Sequence, residues 1–238
     1  MTVTFIAHSA YLVEWDKFYT LFDYTYEPDY TGELPELNPD KPLLVFASHS
    51  HEDHFDAKVF TLLEKYPDAR FFVSRDTRLT ERKRQWLNIS DEAFARTTVL
   101  RPDSILLTDV GGEDLSIRAI KSTDIGNAYL LRAEGKMVYH GGDLNWWDWK
   151  SEGEAYCNNM AAHYRAAIEK LAAAVENEAT DNAIAPEITA AMAPLDPRLG
   201  EGSEGLGIEY LLKNVTVQHV FPMHMWKKYE VIDRYIAA

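Results

Sequence analysis

Apolar and polar positions along the chain follow two periods, and these divide it into short elements. Val3 to Ile6, Ala10 to Glu14 and Phe18 to Phe22 read as three strands, separated by His8-Ser9 and by Trp15-Asp16-Lys17, which makes a β-meander. From Asp23 to Lys41 the pattern breaks. Pro28, Pro35 and Pro39 stand there among acids and tyrosines, which excludes a continuous helix or a central strand and predicts a long loop. Loops longer than about 12 to 15 residues are often functional lids. Leu43-Leu44-Val45-Phe46-Ala47 is a buried strand. Asp56 to Tyr66 carries Val59, Phe60, Leu62 and Leu63 at helical spacing behind Asp56, a capping residue. Phe71-Phe72-Val73 is a further strand, and Arg78 to Trp86 a helix whose Arg82, Lys83 and Arg84 form a solvated face.

Five strands follow, Thr97 to Leu100, Ile105 to Thr108, Leu115 to Ile120, Ala128 to Arg132 and Met137 to Tyr139, read as a run of antiparallel hairpins with turns at Gly111-Gly112 and Glu134-Gly135-Lys136. Glu152 to Glu178 is Ala-rich and helical, with Met160, Tyr164, Ala167, Ile168, Leu171 and Val175 on one face. His163 within it reads as an ordinary helix residue. The remainder alternates: strand Ile188 to Met192, helix end Ile208 to Lys213, strand Thr216 to Val220 and closing helix Lys227 to Ile236, with His219 a structural residue of that strand. This order predicts a layered mixed α/β fold, and with no repeat or linker in view residues 1–238 read as a single domain.

Composition narrows the function. With 46% apolar and 12% aromatic residues the chain can build a substantial core. Its 24 basic and 38 acidic residues give a formal charge of -14, which argues against a nucleic-acid surface, since neutralising phosphates needs clustered Lys and Arg. The sole cysteine, Cys157, excludes an internal disulfide and a Cys-based zinc cluster, and reads as a small filler on a helix. No apolar run approaches the roughly 18 residues of a membrane span, and no basic leader precedes the first strand, so a cytoplasmic protein without membrane contact is expected. A homo-oligomer is compatible with all of this.

The chemistry concentrates in His49-Ser50-His51-Glu52-Asp53-His54, directly behind the strand that ends at Ala47. Extended spacing sends His49 and His51 to one side, and a turn can bring Asp53 and His54 in from the other. Imidazole and carboxylate suit zinc, iron or manganese, and such a cluster can serve two ions at once.

This HxHxDH stretch resembles the metal-binding signature of the metallo-β-lactamase superfamily. Three further motifs fall in that superfamily's order: Asp23 in Leu21-Phe22-Asp23, Asp143 in His140-Gly141-Gly142-Asp143, and His224 in Phe221-Pro222-Met223-His224. The opening Ile6-Ala7-His8-Ser9-Ala10-Tyr11-Leu12-Val13 resembles the ascorbate-6-phosphate lactonase-like branch. The resemblance implies a four-layer αββα sandwich with its site at one edge. It also implies two divalent metal ions, zinc first and manganese or iron as alternatives: His49 and His51 on one, Asp53, His54 and His224 on the other, Asp143 bridging, and Asp23 supporting the histidines from behind. A hydroxide held between two ions about 3.5 to 4 Å apart would be the nucleophile, with Asp53 at the catalytic centre.

One departure stands out. The superfamily's third histidine for the first ion belongs in Lys121-Ser122-Thr123-Asp124-Ile125-Gly126-Asn127, which contains none. Asp124 either replaces it, favouring harder ions, or caps a turn before Gly126; His140 either supports the ligands or fills the gap; or a single ion does the work. His8 can face the cleft as a substrate ligand or proton carrier, or pack in its turn. Asp196 and Arg198 can reach the active edge to hold an anionic substrate, or form a local turn, and Trp146, Trp147, Trp149 and Trp226 follow ligand positions closely enough to wall a pocket.

The expected function is a metal-dependent hydrolase that opens an ester-like bond, a lactone, thioester or phosphodiester, of a small metabolite. The alternatives are a metal-binding or ligand-sensing protein with little catalysis, and a phosphodiesterase or nuclease, which the charge disfavours.

Overall fold

The computed structural model describes residues 1–237. Two six-stranded sheets face each other. The first runs β1 (Thr2–Ala7), β2 (Ala10–Glu14), β3 (Tyr19–Phe22), β4 (Leu43–Ala47), β5 (Arg70–Ser74) and β6 (Thr97–Leu100), in spatial order β1-β2-β3-β4-β5-β6. Its first three strands are antiparallel and β3 to β6 are parallel. The second contains β7 (Ile105–Val110), β8 (Glu113–Lys121), β9 (Asn127–Ala133), β10 (Lys136–His140), β11 (Ile188–Pro194) and β12 (Val217–Met223), in order β12-β11-β10-β9-β8-β7. Here β7 to β10 are antiparallel, and β10, β11 and β12 are parallel.

Strand periodicity builds the layers. On β2, Tyr11 and Val13 point between the sheets while Ala10 and Leu12 point outward, and on β4 Leu44 and Phe46 point in while Leu43, Val45 and Ala47 point out. Leu115, Ile117, Tyr129 and Leu131 complete the central core from the second sheet. The outer face of the first sheet is covered by α1 (Leu62–Lys65), α3 (Asp91–Ala95) and the segments that flank the exposed α2 (Glu81–Trp86), and that of the second by α4 (Glu154–Asn182) and α5 (Leu206–Asn214), with α6 (Glu230–Ala237) at the end. The arrangement is an αββα sandwich.

One expectation is corrected. Thr97–Leu100 is not part of the hairpin run: it lies parallel to β5 at the edge of the first sheet, because the intervening α2 and α3 form a crossover connection. The crossover includes α3, a helix of five residues capped by Ser90 whose length is too short to show a period. The long loop after β3 contains neither helix nor strand, as its prolines require. Among the described residues no helix is long and apolar enough to cross a membrane.

Candidate metal centre

The parallel strands β3, β4, β10, β11 and β12 all end at one edge of the sandwich, where ligands gather in open α/β sheets. Each delivers a polar residue there. Asp23 follows β3 with φ +45 and is buried, and its carboxylate organises the loop beyond β4. It accepts the Ser48 backbone N–H and the Ser48 hydroxyl, both at 2.7 Å, and the Nδ1–H of His54 at 2.7 Å. The backbone then turns: His54 and Phe55 N–H groups donate back to His51 O, which folds Asp53 and His54 under the extended His49 and His51. Asp76 accepts the Ser50 N–H at 2.8 Å and fixes the loop from its other side.

Two glycines permit this packing. A side chain at Gly126 would run into the Ser48 carbonyl, and one at Gly142 would lie 2.6 Å from Ser48 Cβ; both residues have positive φ.

The predicted ligand residues come together as two groups. In the first, His54 Nε2 lies 3.1 Å from Asp143 Oδ1 and 3.5 Å from Asp53 Oδ2. His224 Nε2 lies 3.4 Å from Asp143 Oδ1 and 3.6 Å from Asp53 Oδ2. His8 belongs to this group, with Nε2 3.2 Å from Asp53 Oδ2. In the second, His49 Nε2 is 2.9 Å from His51 Nδ1 and 3.5 Å from Asp143 Oδ2, and Asp124 Oδ2 is 3.8 Å from His51 Nδ1. Asp143 therefore turns one oxygen to each group.

These residues fit divalent cations. His54 Nε2, His224 Nε2 and Asp143 Oδ1 are buried atoms without a hydrogen-bond partner, and the Asp143 oxygen lies 3.1 Å and 3.4 Å from the two nitrogens. Nitrogen and oxygen ligands about 2.0 to 2.2 Å from a tetrahedral ion stand roughly 3.4 Å apart, which matches the separations in the first group. Electrostatics agree. Burial works against a charged ring at His54, yet Asp143 and Asp23 push its pKa well above the ordinary imidazole range. Burial and Asp143 push Asp124 up. Asp143 is a common cause of both shifts. Burial lowers His49 to about 4, which keeps its ring neutral as a ligand must be.

Residues behind the ligands set their orientation. Asp196 is buried beneath His224 and accepts its Nδ1–H at 2.8 Å, so Nε2 is the atom left facing Asp143. Of the two readings of Asp196, substrate contact or a local turn with Arg198, the geometry shows the turn: its oxygens are taken by Arg198 Nε, by His224 and by Trp226 Nε1 at 3.1 Å. The signal that could have found its bond to His224 is its place straight after a strand parallel to the one bearing His224. Arg198 does border the cleft, with its guanidinium 4.0 Å above the Trp226 ring. Trp146 does not: it packs toward Tyr164 and Tyr210 in the outer core, under Arg165. His140 lies outside both ligand groups. Its Nε2 faces Ser9 O at 2.9 Å, its Nδ1 accepts the Gly142 N–H, and its ring stacks on Phe22. Above the two groups opens a cleft of about 300 Å³ whose apolar wall is Trp147, Trp149, Tyr156, Met160 and Trp226.

Four layers with a histidine- and aspartate-rich edge define the metallo-β-lactamase fold, and solved structures bear this out. Igni18, a metallo hydrolase of the hyperthermophilic archaeon Ignicoccus hospitalis, is similar over 99% of this chain and 90% of its own, with 18% identity and a TM-score of 0.56. YhfI of Bacillus subtilis, a metallo-β-lactamase fold protein, is similar over 92% of this chain and 78% of its own, at 12% identity and a TM-score of 0.50. The diiron β-hydroxylase CmlA of Streptomyces venezuelae is similar over 94% of this chain but only 44% of its own, at 10% identity and a TM-score of 0.54. No protein-family model and no curated protein matches the sequence.

Proposed function

We propose that the protein is a metal-dependent hydrolase that opens an ester-like bond, a lactone, thioester or phosphodiester, in a small metabolite. The observation that carries this reading is the convergence of three unpartnered buried atoms, His54 Nε2, His224 Nε2 and Asp143 Oδ1, beside a cleft large enough for a small molecule. Asp53, His54 and His224 would hold one divalent ion, His49, His51 and Asp124 the other, with Asp143 between them; zinc, manganese and iron all suit this donor set. Bound there, the ions would bring a water pKa toward neutrality and polarise the substrate oxygen.

The chain's own residues supply the rest. Asp23 and Asp196 hold the His54 and His224 rings by Nδ1, so the opposite nitrogens stay aimed at the site. The tryptophans and Met160 exclude water from one side of the cleft, and Arg198 adds a positive group at its rim. The likeness of the first two strands to the ascorbate-6-phosphate lactonase-like branch favours a cyclic ester, and the charge of -14 disfavours nucleic acid as substrate.

The test is metal content together with turnover on a lactone, thioester and phosphodiester panel. Two ions per chain and an activity that chelator abolishes are the expected result, with Asp53→Ala folded and inactive. Tight binding of metal with no turnover across the panel would instead favour a sensing or storage role.

A further inference from the structure

His8 stands outside the four sequence motifs, yet it sits among their residues. It occupies the turn between β1 and β2 in a left-handed conformation, φ +47, where the β1–β2 register shifts between Phe5 and Ala7. Non-glycine residues adopt that conformation at a cost, and here the cost delivers an imidazole into the site. The side chain is only 4% exposed. The His8 ring lies 4.4 Å from the ring of His224 and 5.9 Å from that of His54, and its Nε2 faces Asp53 Oδ2. Its carbonyl accepts the His224 N–H at 3.1 Å, so the two loops are tied together by their backbones as well.

We infer that His8 is a ligand of the buried ion, giving that ion three imidazoles and two carboxylates, and leaving the other ion as the one open to solvent and substrate. This rests on the proposed metal centre and adds to it. Ligand atoms of His8, Asp53, His54 and His224 all lie within 4.8 Å of one another, close enough for one ion, and Asp143 Oδ1 faces the same point. The side chains of His8, Asp53, His54 and His224 are 4%, 14%, 0% and 3% exposed, whereas those of His51 and Asp124 are 50% and 43% exposed. A site filled by protein donors is of the closed, structural kind, and a site with solvent-facing ligands keeps positions for exchange. The asymmetry assigns retention to the His8 side and substrate contact to the His49 side. It also takes His8 out of the role of proton carrier.

Cobalt(II) titration of the chelator-stripped protein tests this by visible absorption and by competition with a chromogenic chelator. Two equivalents of unequal affinity are expected. His8→Ala should weaken the first equivalent by more than about 100-fold and change its absorption bands, with the second equivalent retained; that loss exceeds the 10- to 100-fold typical of an outer hydrogen-bonding partner. His8→Gln separates the roles, because an amide can still donate to Asp53 but is a poor ligand. It should behave as His8→Ala does. Near-wild-type affinity and spectrum in His8→Gln would overturn the inference, as would an unchanged first equivalent in His8→Ala. Failure of the wild type to bind cobalt, zinc or manganese at all would instead overturn the metal centre itself. Melting of the metal-free variants confirms that each is folded.

Discussion

Asp23→Asn is an almost isosteric change that reverses one hydrogen bond, and its effect on metal affinity can be worked through atom by atom. Oδ1 of Asp23 accepts the Ser48 backbone N–H at 2.7 Å, a bond only an oxygen can make. Asparagine must keep its carbonyl there, so its NH2 takes the place of Oδ2, 2.7 Å from both the Ser48 hydroxyl and His54 Nδ1. An amide donor facing Nδ1 forces that nitrogen to accept. The ring proton then moves to Nε2, the atom 3.1 Å from Asp143 Oδ1 that ligation needs free. Loss of an outer partner of this kind lowers metal affinity about 10- to 100-fold, or about 1.4 to 2.8 kcal/mol. Chelator competition with zinc measures it, alongside a thermal melt of the metal-free protein. Affinity within twofold of wild type, in a variant that melts normally, would refute the tautomer argument.

Asp124→Ala should cost one metal ion per chain, read by elemental analysis after gel filtration, while the other remains; an unchanged stoichiometry would move the third-ligand role away from Asp124. The second remaining prediction concerns stability rather than chemistry. Glu178 on α4 is buried, accepts Ser116 Oγ–H at 2.7 Å and pairs with Arg118 and Arg132 on the second sheet. Glu178→Ala leaves both guanidinium groups without that partner, a loss of about 3 to 5 kcal/mol. At about 2 to 4 °C per kcal/mol for a chain of this size, the melting temperature falls by at least about 6 °C. Burial raises the Glu178 pKa, but the Ser116 and Arg118 hydrogen bonds outweigh it and hold the carboxyl below its usual range. A depressed folded-state pKa gives stability above the unfolded value, about 4.3, which is lost as the pH drops through the folded one. The gap between wild type and Glu178→Ala therefore narrows in melts below about pH 4. A gap independent of pH would show that packing, not the ion pairs, is what the residue supplies.

Most of the fold was legible because strand and helix periods differ and because the long loop after β3 is rich in proline. The motif histidines were legible for a local reason, since five ligand-type residues in six positions have few other uses. Misreadings arose where the outcome depended on distant chain. Nothing within Thr97–Leu100 says which sheet it joins; the crossover through α2 and α3 decides that. Trp146 and Trp147 are neighbours in sequence yet face the outer core and the cleft respectively. Asp196 beside Arg198 allowed a substrate contact or a local turn; the carboxylate does grip the guanidinium, while its other duty, to His224, comes from a strand that pairs only in the folded chain.

The order of strands has a consequence for assembly. Every strand of the first sheet precedes every strand of the second in sequence, and the metal groups straddle the divide. His8, His49, His51, Asp53 and His54 come with the first sheet, while Asp124, Asp143 and His224 come with the second. Neither half contains a complete ligand set, so the centre exists only after the halves have docked. A cation held there acts as a rivet through the seam, and at 100 times its dissociation constant it adds about 2.7 kcal/mol against their separation. Loss of metal and loosening of the two sheets should then be one event seen from two sides.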